Sequence, residues 1–288
     1  ISQNNFRLTK NIYDNQLDSK KIKNVFLFGG STIYGEEVPD SLTIPSILSN
    51  LFFENCKDKY IVHNRGIPSY RTKEQLNLLI KENILAKDYI VFYDGFNDFH
   101  YNIHINNPNR KNHFQILEES TRAINLQKIL YSIPILKNSA VIKFATGKIY
   151  YPSSNSQKHI NKSIVDYWKN INTSHKIISF KKANFIHFVQ PTIHNALITS
   201  SNSKYLVDHP TISFPNESST FKKYFPKFKE YKKISGSAKS IDLSNIFNNI
   251  EAADIFLDHV HINEKGNRII SEAIFQNMVS AFSLKCND

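Results

Sequence analysis

The sequence predicts an α/β fold in which a parallel sheet carries helices on both faces. Three observations point there. Short runs of strand character alternate with stretches of helical spacing along the chain. Three of those runs, Val25 to Phe28, Asp88 to Tyr93 and Asn184 to Val189, are almost continuously apolar, as strands buried on both faces must be. Five of the eight glycines (Gly29, Gly30, Gly35, Gly66 and Gly95) follow the first three strands. Unusual backbone is thus gathered at the carboxyl ends of strands, where an open parallel sheet forms its ligand crevice.

The elements follow in order. Residues 1–20 are polar and read as a loose N-terminal arm, ahead of a single domain over 21–288. A strand at 24–29 precedes a helix at 43–55, in which Ile44, Ile47, Leu48, Leu51 and Phe52 recur at helical spacing. A short strand at Tyr60 to His63 leads to a helix opened by Arg71 or Thr72 and running to about Leu85. The strand at 88–93 follows. A helical stretch passes through Leu126, Ile129 and Leu130 before Pro134, and 139–156 is irregular. A long helix covers about 158–181, ahead of the strand at 184–189. Residues 200–220, rich in Ser, Asn and Pro, read as a loop or partial lid. A helix at 217–233, a short strand at 240–243 and a helix from Glu264 to about Phe282 complete the chain. No internal repeat or interdomain linker interrupts this order.

Composition narrows the function classes. The chain has 288 residues and 41% apolar content, enough for a sizeable core. No apolar run reaches the ~18–20 residues of a membrane span, and no secretory apolar segment stands at the start. The first residue is Ile1 rather than Met, so a processed or truncated chain is expected, with an upstream anchor left open. The cell envelope is the favoured location, with a cytoplasmic one still open. The net charge of +11 favours anionic partners. The lysines are scattered, however, in a Lys/Asn/Ile-rich vocabulary typical of A+T-rich coding. The densest cluster, Lys222 to Lys233, has Tyr224, Phe225, Phe228 and Tyr231 among its lysines and reads as packing, so no nucleic-acid partner is expected. Cys56 and Cys286, the only cysteines, read as two thiols rather than a disulfide, with their pairing left open. No glycine-rich loop with a following Lys-Ser/Thr is present, and no cofactor or metal is expected. His100 and His104 share a spacing that metal ligands use, but with no partner carboxylate they read as loop histidines.

The chemistry sits at the strand ends. Ser31 follows Gly29-Gly30 directly after the first strand, where two glycines allow a sharp turn, positive φ and space beside a hydroxyl. Asn64-Arg65-Gly66-Ile67-Pro68-Ser69-Tyr70 follows the second strand and Asp94-Gly95-Phe96-Asn97-Asp98 the third. Asp258-His259-Val260-His261 stands just before the last helix. A serine, a backbone N–H at glycine, an asparagine amide and an Asp/His pair are the parts that acyl transfer requires.

These blocks, in this order, resemble the SGNH (GDSL-type) hydrolase family across residues 24–272. Gly29-Gly30-Ser31-Thr32 stands at its first block, Gly66 at its second, Gly95-Phe96-Asn97-Asp98 at its third, and Asp258 to His261 at its last. Three positions differ. Gly30 replaces the family's acidic residue, with Thr32 for the following Leu, and Ser69 stands where a further glycine is common. The resemblance implies a three-layer α/β/α sandwich with a flavodoxin-like parallel sheet. It implies Ser31 as nucleophile, His261 as base and Asp258 as the residue that orients it. The Ser31 and Gly66 N–H groups and the Asn97 side chain would form the oxyanion hole. Asp98 is read as loop support and His259 as a rim residue. The expected activity is a serine esterase acting through an acyl-enzyme on a carbohydrate O-acetyl ester. An O-acetyltransferase, or a non-catalytic glycan-binding module, are the alternatives.

Overall fold

The computed structural model describes residues 6–11, 22–104, 156–195, 225, 227, 230 and 238–286. The expected elements at 126–134, 139–155 and 200–220 lie outside these, and the helix at 217–233 is described only at Phe225, Lys227 and Glu230.

Five parallel strands form one sheet: β1 (Ile22–Gly29), β2 (Lys59–Gly66), β3 (Tyr89–Asp94), β4 (Asn184–Val189) and β5 (Ser240–Asp242), in the order β2-β1-β3-β4-β5. This is the flavodoxin-like order. Alternate residues of β1 enter different cores, because successive side chains in a strand point to opposite faces. Val25 and Leu27 pack with α2 (Ile44–Asn55) and the C-terminal helix Glu264–Phe282. Phe26 and Phe28 pack with α3 (Thr72–Lys81) and the long helix Ser156–Phe180, through Leu79, Ile164, Trp168 and Ile178. The result is a three-layer α/β/α sandwich, as the apolar runs predict.

Two helices were not legible in the periodicity. α1 (Ser31–Tyr34) and α4 (Phe96–His104) begin directly at the ends of β1 and β3. With these counted, Ser156–Phe180 is α5 and Glu264–Phe282 is α6. β2 is longer than its apolar stretch because all eight of its residues pair with β1, from Ile22 opposite Lys59 to Gly29 opposite Gly66. α2 begins where the Thr43 hydroxyl accepts from the Ser46 N–H at 3.3 Å, and α6 where Asn263 accepts from the Gly266 N–H at 3.1 Å. The register places Gly29 level with Gly66, Tyr93 and Phe188 at the carboxyl end of the sheet, with Asp94 and Val189 one residue beyond.

Two expectations are corrected. Residues 6–11 are not loose. Asn11 exchanges hydrogen bonds with the Val62 backbone at 2.9 and 3.0 Å, and the Thr9 hydroxyl accepts from the Asn64 N–H at 3.1 Å, so the segment runs along the otherwise open edge of β2. Cys56 and Cys286 form a disulfide. The C-terminal segment returns antiparallel to the end of α2, with Lys57 N–H donating to the Lys285 carbonyl at 3.1 Å, a juxtaposition that a separation of 230 residues conceals. Among the described residues no helix is long and apolar enough to cross a membrane.

Candidate functional site

Ser31 opens α1 at the end of β1. The two glycines before it provide room rather than left-handed backbone: Gly30 has φ −88°. A Cβ at Gly30 would lie 2.5 Å from the Asn97 Nδ2, and one at Gly29 would lie 2.7 Å from the Tyr93 carbonyl oxygen. The departure at Gly30 therefore has a physical reason, since its bare backbone is where the Asn97 amide rests. As the first residue of a helix, Ser31 has an N–H with no intrahelical acceptor.

His261 comes from the far end of the chain. A narrow loop between β5 and α6 is pinched by Leu257 N–H to His261 carbonyl at 2.8 Å and Asn263 N–H to Ile255 carbonyl at 2.9 Å. Within it, one Asp258 carboxylate oxygen accepts from the N–H groups of Val260 and His261 at 2.8 and 2.7 Å. The other is 2.6 Å from His261 Nδ1, and His261 Nε2 is 2.6 Å from Ser31 Oγ. Sequence reasoning named these three residues, and the fold brings them into one line.

The electrostatics follow from that line. Burial disfavours the Asp258 carboxylate, but the His261 ring, the two N–H groups and the imidazole charge outweigh it and hold its pKa well below the usual range. Burial likewise lowers the His261 pKa, and here the hydrogen bond and charge of Asp258, then Glu37 and Glu36, outweigh it and raise the pKa above its ordinary value.

The opposite side of the site differs from expectation at one residue. The Gly66 N–H donates to the Asn64 Oδ1 at 2.9 Å and is buried, so it is not available to a ligand. Gly66 is small because a Cβ there would lie 2.3 Å from the Tyr34 N, where α1 crosses β2. Beyond Gly66, the departure at Ser69 has a backbone consequence. Ser69 holds φ +65°, the conformation that glycine usually supplies, in an exposed turn closed by Tyr70 N–H to Ile67 carbonyl at 3.1 Å. The signal was present as a serine at a place where glycine is common.

Asn97 stands where expected. Its Nδ2 donates to the Tyr70 carbonyl at 2.9 Å, which leaves its second N–H for the site. Asp98 acts on the loop, as expected. It accepts from the Thr72 N–H at 3.0 Å and the Thr72 hydroxyl at 2.6 Å, and Asn170 of α5 donates to that hydroxyl at 3.1 Å. The loops after β2 and β3 are thus tied at two successive residues. Burial and the neighbouring Asp94 charge push the Asp98 carboxyl up to about 7. Asp94 and the fully buried His187 are 3.3 Å apart, with Tyr167 and Ser240 each 2.7 Å from the His187 ring, which fixes the end of β3 from below.

The remaining histidines stay outside this line. The His259 ring lies tilted against Phe96 at 4.8 Å and stacks on His100 at 5.9 Å. The His104 side chain lies outside the described residues. The group of acidic and histidine side chains close enough to share a cation, among the described residues, is Glu36, Glu37 and His261, with one atom of each within 4.8 Å of the others. Both nitrogens of His261 are already engaged by Asp258 and Ser31, so a cation on this group would have to displace Ser31 from Nε2.

No protein-family model matches the sequence, and no curated protein matches it. The chain is similar to several solved structures. A member of the lipolytic G-D-S-L protein family from Veillonella parvula is 12% identical, over 91% of this chain and 98% of that one, with a TM-score of 0.48. An acetylxylan esterase from Geobacillus stearothermophilus is 12% identical over 89% and 94%, with a TM-score of 0.47. A GDSL-like lipase from Bacteroides thetaiotaomicron is 13% identical over 92% of each chain, with a TM-score of 0.47.

Proposed function

We propose that the chain is a serine esterase of the SGNH (GDSL-type) hydrolase family. The observation that carries this reading is the Asp258–His261–Ser31 line, with both hydrogen bonds at 2.6 Å. Ser31 Oγ attacks the ester carbonyl as its proton passes to His261 Nε2, and Asp258 keeps the imidazole in the tautomer that can accept it. The tetrahedral oxyanion is held by the Ser31 N–H, the free N–H of Asn97 and the backbone N–H of Ser69, which replaces Gly66 as the third donor. Collapse breaks the ester C–O bond, and His261 returns the proton to the departing alcohol. Water, deprotonated by the same imidazole, then releases the acid and restores Ser31.

An O-acetyl group on a carbohydrate is the substrate class we favour. A net charge of +11 suits an acidic polysaccharide, and the Cys56–Cys286 bond suits an oxidising location at the cell envelope. The test is release of p-nitrophenol from p-nitrophenyl acetate by the wild type, Ser31→Ala and His261→Ala, with and without an oligosaccharide acceptor. Both variants should lose nearly all activity. Equal rates in all three proteins would overturn the serine mechanism. Acetyl appearing on the oligosaccharide instead of in water would replace hydrolysis by transfer.

A further inference from the structure

The turn that follows the nucleophile is held only in part by its own contacts: the Val38 N–H donates to the Gly35 carbonyl at 3.3 Å, and Asn64 Nδ2 of β2 donates to the Tyr34 carbonyl at 3.4 Å. Residues 35–38 form one wall of the pocket beside Ser31, opposite His261, Ile262 and Asn267. Glu36 and Glu37 are exposed on this wall, yet a carboxylate oxygen of each stands within 4.8 Å of a His261 ring atom. Most of the side-chain grip on the turn comes from the N-terminal segment. The Arg7 guanidinium donates to the carbonyls of Tyr34 at 3.3 Å, of Gly35, and of Val38 at 2.6 Å, and pairs with Asp40 at 2.7 Å. Its side chain is only 14% exposed. A planar fork with five donors suits several carbonyls converging on one point, which a lysine ammonium does not match. The arm that carries Arg7 is itself anchored along β2 by Thr9 and Asn11.

We propose that Arg7 is a positioning residue of this site: by gripping both ends of the 34–38 turn it holds Glu36 and Glu37 beside His261 and sets the pocket wall next to Ser31. The N-terminal segment is then part of the working site rather than a tail. This rests on the esterase reading above, because it acts through the base of that reaction. The charged groups facing His261 are Asp258 on its own loop and Glu36 and Glu37 on the turn. His259, two residues away, faces Phe96 and His100 on α4.

The sign of the effect separates positioning from simple charge. Neutral His261 is the form that takes the Ser31 proton, so the acidic limb of kcat/KM follows its titration. Glu36 and Glu37 raise that titration point. If Arg7 acts by holding them in place, Arg7→Ala lets them swing into water and the limb moves to lower pH. If Arg7 mattered only as a nearby positive charge, its removal would move the limb to higher pH.

The experiment is kcat/KM against pH for p-nitrophenyl acetate with wild type, Arg7→Ala, Glu36→Gln/Glu37→Gln and the triple variant. The Glu double variant should move the acidic limb down by about half a pH unit, the scale of two exposed charges in water. Arg7→Ala should move it the same way, with KM raised several-fold more than kcat falls. In the triple variant Arg7→Ala should add no further shift. Should Arg7→Ala not fold, Asp40→Asn, which loosens one of the four grips, should give a smaller shift of the same sign. An unmoved or raised limb in Arg7→Ala or Asp40→Asn, or a further shift in the triple variant, would overturn the proposal. Full activity in Ser31→Ala would instead overturn the esterase reading beneath it.

Discussion

The two halves of the site are built by different means. On one side Ser31, His261 and Asp258 meet through side chains, in two hydrogen bonds of 2.6 Å. On the other, Gly66 at the end of β2, Ser69 in the turn after it and Asn97 at the start of α4 stand side by side, and for Gly66 and Ser69 the backbone decides what each can offer. The first half depends on three residue identities. The second depends on which N–H is already spent: the Gly66 donor is, on Asn64. A motif specifies side chains well and hydrogen-bond directions poorly, since every residue but proline carries the same N–H.

The largest expected effects fall on the first half. Ser31→Ala should lower kcat by about four orders of magnitude or more, and Asp258→Asn by ~10²–10⁴-fold, with KM little changed in steady-state assays. The second half should lose less per residue. Asn97→Ala removes one donor and should lower kcat by ~10²–10³-fold. Thr72→Val removes only the tie to Asp98, for which we expect about ten-fold, rescued by Thr72→Ser, because displacement of a donor weakens it without abolishing it. If Asn97→Ala cost as much as Ser31→Ala, the two halves would be equally indispensable and the contrast would fail.

Ser69 and Gly66 sharpen the contrast further. Ser69→Gly keeps the N–H and relieves a left-handed backbone, so activity should stay within about two-fold and Tm should not fall. Gly66→Ala should lower Tm, because its Cβ would lie 2.3 Å from the Tyr34 N. A glycine variant at 69 that folds but loses the reaction would contradict the donor assignment.

The pH dependence separates the halves again. His261 must be neutral to act and its pKa lies above the ordinary imidazole value. Activity should therefore be low at acid pH and climb through a midpoint above 6.5, the ordinary imidazole value. Asp258, with its pKa depressed, contributes stability at neutral pH that is lost as pH falls below the normal carboxylate range. Asp98 has the opposite sign. Its pKa is raised to about 7, so its contribution is present in acid and is lost as pH rises through that value. Removing each carboxylate in turn and measuring Tm against pH would check both signs.

The smallest effect on activity should come from the far edge of the sheet. Cys56 follows α2 and lies before β2, away from the strand ends that carry Ser31 and Asn97. Replacing both cysteines by serine should lower stability by ~2–4 kcal/mol while kcat stays near wild type, as chemical denaturation and rate assays would show.

Much of this was legible in the sequence. The apolar runs at 25–28, 88–93 and 184–189 became β1, β3 and β4, because burial on both faces leaves little choice of residue. Ser31, Asp258, His261 and Asn97 were legible because their chemistry is in their side chains. What was not legible depends on tertiary contact. The arm at 6–11 is polar and reads as loose, but its polar atoms satisfy the edge of β2 and the turn at 34–38. The Cys56–Cys286 pairing depends on where the C-terminus lands. α1 and α4 are short and start at strand ends, with too few turns to show a period.

The most direct test of the central claim is to trap the covalent intermediate. Wild-type protein mixed briefly with p-nitrophenyl acetate, quenched in acid, digested and weighed peptide by peptide, should carry one acetyl group on the peptide containing Ser31, and Ser31→Ala should carry none. Acetyl on another residue, or undiminished turnover by Ser31→Ala, would contradict it.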